Sequence, residues 1–220
     1  IQGAFATAAR QYKSNFGWGL LYNASNNALI VNVPPSTGGQ EQFVMNNITK
    51  AWCRFTGWYA NCWSSLNDEP YYGSDGYVAK AWTTGTGSAG YNDNGQAINS
   101  KALQAFNYFD TRGVIKYFTR GRTTTYSNGQ PTIGVGIAVD FQTDDFLGAL
   151  SFVGTNYGLW DVGLWDQAIW GSNTIASNTV VGLSGIGYCG GIIFNSSSKN
   201  VSLEWASTDV VYQLGWAGAS

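Results

Sequence analysis

Along residues 17–82, apolar side chains fall at alternate positions or in short unbroken runs, and clusters of Asn, Ser, Gly, Pro and Asp interrupt them at intervals of roughly ten residues. The 3.6-residue period of an amphipathic helix is nearly absent, so the pattern predicts strands joined by turns. Residues 17–22 and 28–33 read as a hairpin around the polar turn 23–27. Pro34 and Pro35 end the second strand, because neither can donate to a ladder. Strands at 41–46 and 51–55, turned back at 47–50, complete a four-stranded meander. A second antiparallel unit follows, with strands at 60–66, 71–73 and 77–82 and turns at 67–70 and 74–76.

Short strands at this spacing, four to a unit of about 40–50 residues, are the signature of propeller blades. Residues 1–100 are therefore read as propeller-like antiparallel units, too few to close a ring and expected to be the last blades of a longer chain. After the turn cluster at 91–95 the strands lengthen (105–109, 113–126, 132–141, 191–195, 201–205 and 210–214). That change places a boundary near residue 100 and a β-sandwich over 101–220. The fold class expected is all-β: antiparallel propeller-like blade units followed by a β-sandwich.

Composition narrows the function. Only 11% of residues are charged, against roughly 25% in an average soluble domain. Ten tryptophans, within 15% aromatics, exceed the needs of one core. Some rings are expected on ladders or subunit contacts, where large amphipathic side chains serve best. The formal net charge of −2 gives no global pull toward nucleic acid or an anionic membrane. No apolar run approaches the roughly 18 residues that span a bilayer, and residues 1–10 lack a signal-peptide layout, so a soluble chain with no membrane anchor is expected. Cys53, Cys62 and Cys189 form neither a C-x-x-C pair nor an even set. They read as buried thiols, with a Cys53–Cys62 bridge only if the two face each other across a hairpin.

Two groups stand out as contact candidates. Trp160, Trp165 and Trp170 recur every five residues, with Gly158, Gly163 and Gly171 permitting turns and Asp161 and Asp166 placed to cap them. They read either as sugar-stacking platforms or as a sandwich edge or intersubunit contact. Arg112, Lys116, Arg120 and Arg122 share one parity on an expected strand and should point from one face. That stripe reads as a DNA-facing surface, as a contact to an acidic neighbouring subunit through bidentate arginines, or as a solvated edge strand guarded by charge.

Catalysis has little to stand on, since the chain has no histidine and so lacks the usual general base near neutral pH. Asp68, Glu69 and Glu204 are the carboxylates considered for glycoside hydrolysis, but the first two sit in a turn and the third beside Trp205 in a terminal strand. Asp140, Asp144 and Asp145 lack the loop grammar of a calcium site. No catalytic residue, metal or cofactor is expected.

Several segments, taken together and in order over most of the chain, resemble the C-terminal part of a family of short-tailed bacteriophage proteins, the packaged-DNA stabilisation or tail-hub (nozzle-like) group. They are Leu29-Ile30-Val31-Asn32-Val33-Pro34 followed by residues 43–47, Ala51-Trp52-Cys53-Arg54-Phe55-Thr56-Gly57-Trp58, Ala105-Phe106-Asn107-Tyr108-Phe109, and Trp160-Asp161-Val162-Gly163-Leu164-Trp165-Asp166. The resemblance implies a structural virion subunit of the phage tail or neck that binds portal, adaptor and other tail proteins. It further implies a homo-oligomeric ring and DNA in the tail channel, retained or conducted there. The alternative is a lectin-like carbohydrate-binding β-sandwich that uses exposed tryptophans.

Overall fold

A computed structural model of the chain describes residues 2–36, 39–82, 90–143, 147–150, 157–158, 169–170 and 174–215. It divides into two compact units, Ile1–Thr83 and Thr84–Ser220. The structure is mostly strand, in antiparallel sheets, with one short helix; among the described residues no sheet closes into a barrel or propeller.

The first unit opens with α1 (Gln2–Gln11), which the strand pattern did not predict. Its four alanines favour a helix, and Phe5 holds it edge-on against Phe43 at 5.5 Å. The meander follows as β1 (Gly19–Asn23), β2 (Ala28–Val33), β3 (Glu41–Asn46) and β4 (Trp52–Thr56), neighbours in that order. β5 (Cys62–Leu66), β6 (Glu69–Gly73) and β7 (Val78–Lys80) make a second sheet. The expected turn at 67–70 is tighter than its sequence implied. Asn67 and Asp68 alone form it, both at positive φ of 52° and 60°, the conformation a two-residue hairpin requires. Glu69 and Pro70 thereby fall within β6, opposite Leu66 and Ser65.

Trp58, Trp63 and Tyr72 pack mutually, with ring centroids 5.4–6.2 Å apart, and Phe55 and Trp82 join Trp58. Beneath them lies a polar knot. Asn32 on β2 and Gln42 on β3 are directly paired in register and both fully buried. Asn32 Nδ2 donates to the carbonyls of Gly17 (2.7 Å) and Ala60 (2.8 Å). Gln42 Nε2 donates to Asn32 Oδ1 (2.8 Å) and to the Trp58 carbonyl (2.9 Å). Two amides thus tie the segment before β1 and the β4–β5 connection to the middle of the first sheet.

In the second unit, β8 (Ile98–Leu103), β10 (Thr132–Val139), β11 (Leu147–Leu150) and β15 (Gly190–Ser198) form one sheet, in the order β11-β10-β15-β8. β9 (Lys116–Ser127), β14 (Ile175–Gly187) and β16 (Leu203–Leu214) form another, with β9 in the middle. β12 (Tyr157–Gly158) and β13 (Ile169–Trp170) are a short parallel pair. One core joins the two larger sheets: Ile133, Val135 and Ile137 of β10 with Ile192 and Phe194 of β15, against Phe118 of β9 and Val181 and Leu183 of β14. Residues 105–109 are not a strand; Asn107 makes only an isolated bridge to Gly190. β8 pairs with β15, so residues 98–100 belong with the second unit.

Replacing Gln42 by Leu leaves Asn32 Oδ1 without its donor in the interior, while the Trp58 carbonyl keeps the Ala60 N–H at 2.9 Å. One buried orphan costs roughly 1–3 kcal/mol, so urea unfolding of the variant should show a loss of about 1 kcal/mol or more.

Candidate interaction surface

The four basic residues do not share a face. β9 pairs with β14 and β16, and both pairings slip beside Thr119, the β16 pairing slipping a second time at Ala206. Arg120 and Phe118 pair with Gly182 and Gly185 on β14. On β16 they pair with the adjacent Val211 and Tyr212, so Thr119 is an extra residue on β9. A bulge of this kind reverses the side on which all following residues point. Before it, Lys116 and Phe118 point inward; after it, Thr123, Thr125 and Ser127 do, and all five are buried. Arg120 and Arg122 are left on the outer face and exposed.

Lys116 is therefore no surface residue: it is 0% exposed. Its ammonium donates to the carbonyls of Thr111 (2.5 Å), Val114 (3.0 Å) and Tyr188 (3.0 Å), matching its three protons. It locks the approach to β9 onto the turn between β14 and β15. Arg112 precedes the strand, with its guanidinium 5.3 Å from the centre of the Tyr108 ring. Arg122 pairs with Asp209, its register partner on β16, at 2.5 Å. Arg120 has no partner among the described residues.

Trp160 and Trp165 lie outside the described residues. Trp170 ends β13, opposite Gly158 in the parallel pair, and its side chain is likewise outside them.

Of the acidic candidates, Asp68 is a turn residue, Glu69 pairs with Lys80, and Glu204 sits on the outer face of β16. Asp140 is a turn cap: its Oδ1 accepts from the backbone N–H groups of Tyr188 (2.8 Å) and Cys189 (3.2 Å). Asp144 and Asp145 lie outside the described residues. Among those described, no group of three or more His, Cys, Asp or Glu could hold a metal ion.

All three cysteines are free thiols, and two are exposed rather than buried. Cys53 and Cys62 sit on β4 and β5, in different sheets, so they are not hairpin mates. The Cys53 sulfur rests 3.4 Å from the Val44 carbonyl, and although the residue as a whole is exposed, partial desolvation of its sulfur pushes that thiol up. Cys189 is raised by burial first and by the adjacent Asp140 charge second.

One surface escaped the sequence reading. The meander is apolar on both faces. Its inner face carries Leu21, Ala28, Ile30, Val44 and Phe55. On the other side, paired registers place Leu20, Val31 and Phe43 in one row and Tyr22, Leu29, Met45 and Trp52 in the next. α1 covers Phe43, while Leu20 (68%), Tyr22 and Trp52 remain exposed. The signal was present as near-continuous apolar runs where one wet face would give alternation.

No family model matches the chain, and no curated protein or solved structure matches it either.

Lys116→Met should cost about 3 kcal/mol in urea unfolding, since it removes all three hydrogen bonds of the ammonium, whereas Arg112→Ala should change stability by about 1 kcal/mol or less. Native-state alkylation at pH 8 should modify Cys62 first and Cys53 more slowly. Cys189 should react only on unfolding, because its thiol is both covered and held protonated; mass spectrometry of timed samples checks the order.

Proposed function

We propose that this chain is a non-enzymatic structural subunit of a virion, part of a phage tail or neck, that works by binding neighbouring protein subunits and helps retain or conduct packaged DNA. The observation that carries the reading is the second apolar face of the meander. Strands apolar on both sides are what sheets covered on both sides look like, and α1 covers only part of this one. A partner that brings its own apolar β surface would bury Leu20, Tyr22 and Trp52, and aromatic anchors in such a contact carry a large share of its energy. In this reading β1–β4 and β5–β7 are blade-like units, and the two larger sheets of the second unit form a β-sandwich. The tail-hub assignment is supported by the resemblance of residues 29–34, 43–47, 51–58 and 105–109. The sparse charge suits low-polarity interfaces.

The purified chain, mixed with portal rings and with the other tail proteins, should join a larger particle by light scattering. The exposed-face variant Tyr22→Ser/Trp52→Ser should weaken that association about 100-fold, two anchors each contributing about 1.4 kcal/mol or more. A chain that stays apart from portal and tail proteins alike would remove the reading and favour the saccharide-binding alternative.

A further inference from the structure

The outer face of the β14-β9-β16 sheet carries two unpaired charges of opposite sign, Arg120 and Glu204, well separated along the strands. Arg120 stands between Gly182 and Val211. Glu204 stands beside Tyr126, with Ala176 on its far side. Neither charge has a partner among the described residues. Between them Arg122 and Asp209 neutralise each other. Six positions of β9 separate the Arg120 row from the Tyr126 row, about 20 Å at the usual strand rise.

The surroundings of Arg120 are those of a contact centre. Val180 (61% exposed), Ile186 (61%) and Val211 (54%) lie about it on β14 and β16, with Tyr117 on β9. A Cβ added at Gly182 would meet nothing within 4 Å, so the flank of Arg120 toward β14 is open to an incoming side chain. An arginine with its fork free and apolar neighbours on both sides is arranged to take a carboxylate bidentately, out of water.

We propose that this face docks a second copy of the chain, the two copies related by a two-fold axis lying across the strands. Such an axis lays the Arg120 end of each copy over the Glu204 end of the other. A two-fold contact is self-complementary, so every pairing occurs twice. Here one operation satisfies both Arg120 residues and both Glu204 residues. It also sets each Arg120 over the Tyr126 ring of the other copy, a face that attracts a guanidinium. The inference rests on reading the chain as an assembly subunit, and it names one partner of that subunit.

Sedimentation equilibrium of the whole chain at low salt tests it. The native protein should dimerise, and raising the salt should weaken the dimer. Arg120→Glu and Glu204→Arg should each weaken it about tenfold or more, with unchanged circular dichroism since both side chains are exposed. The double variant R120E/E204R, which restores opposite charges across the two-fold, should recover the native affinity to within about threefold. A native protein that stays monomeric at about 100 μM, or a double variant no better than the singles, overturns the inference. If the chain nevertheless joins the portal or tail proteins, only the second-copy contact falls. If it joins nothing, the assembly reading falls with it.

Discussion

The second unit depends on one strand that must pair with two neighbours while changing sides. β9 is the middle of its sheet, and the extra residue Thr119 turns its first third inward through Lys116 and Phe118 and its remainder inward through Thr123, Thr125 and Ser127. β14 carries a compensating slip between Gly182 and Gly185. Were β9 regular, Arg120 and Arg122 would enter the core beside Phe118, where unpaired charge costs several kcal/mol per ion. Instead the core receives Phe118, and the arginines stay in water. Glycine makes the compensation feasible: a Cβ at Gly185 would lie 2.9 Å from the Val139 side chain and 3.1 Å from Ile137.

With so few charges, the chain satisfies its interior by other means. Lys116 is buried without a carboxylate and is neutralised by the dipoles of three carbonyls. Such a cradle is specific to one length of side chain, because the ammonium must reach all three acceptors at once. Asn32 and Gln42 perform the corresponding task in the first unit, each amide N–H₂ spanning two acceptors. In both places the polar group joins segments far apart in sequence, so it fixes connectivity.

How much of this was legible varied along the chain. The meander could be read almost to the residue, because polar turns at 23–27 and 47–50 bracket unmistakable apolar runs, and β3 falls at the expected 41–46. β8 was missed for a physical reason: it is an edge strand exposed along its whole length, so no alternation marks it. β14 was missed because its glycines, serines and Asn178 resemble a loop, and only pairing with β9 makes them a strand. The basic stripe failed because parity assumes a regular strand, and no single residue announces the bulge at Thr119. α1 went unnoticed since its alanines carry little amphipathic signal. The tryptophan series, the most conspicuous feature of the sequence, contributes nothing to the surfaces derived from the described residues.

The amide knot of the first unit has a consequence for the surroundings in which the protein can work. Attraction between ions fades as electrolyte accumulates, since the screening length shrinks to about 3 Å at molar concentration. Hydrogen bonds from Asn32 and Gln42 to neutral carbonyls, sealed from solvent, carry no net charge to screen and no group that titrates near neutrality. The clamp therefore holds equally in dilute buffer and in a dense counterion atmosphere such as that around condensed polyanions. Robustness of that kind comes from the choice of carboxamides over carboxylates at two facing positions, Asn32 and Gln42.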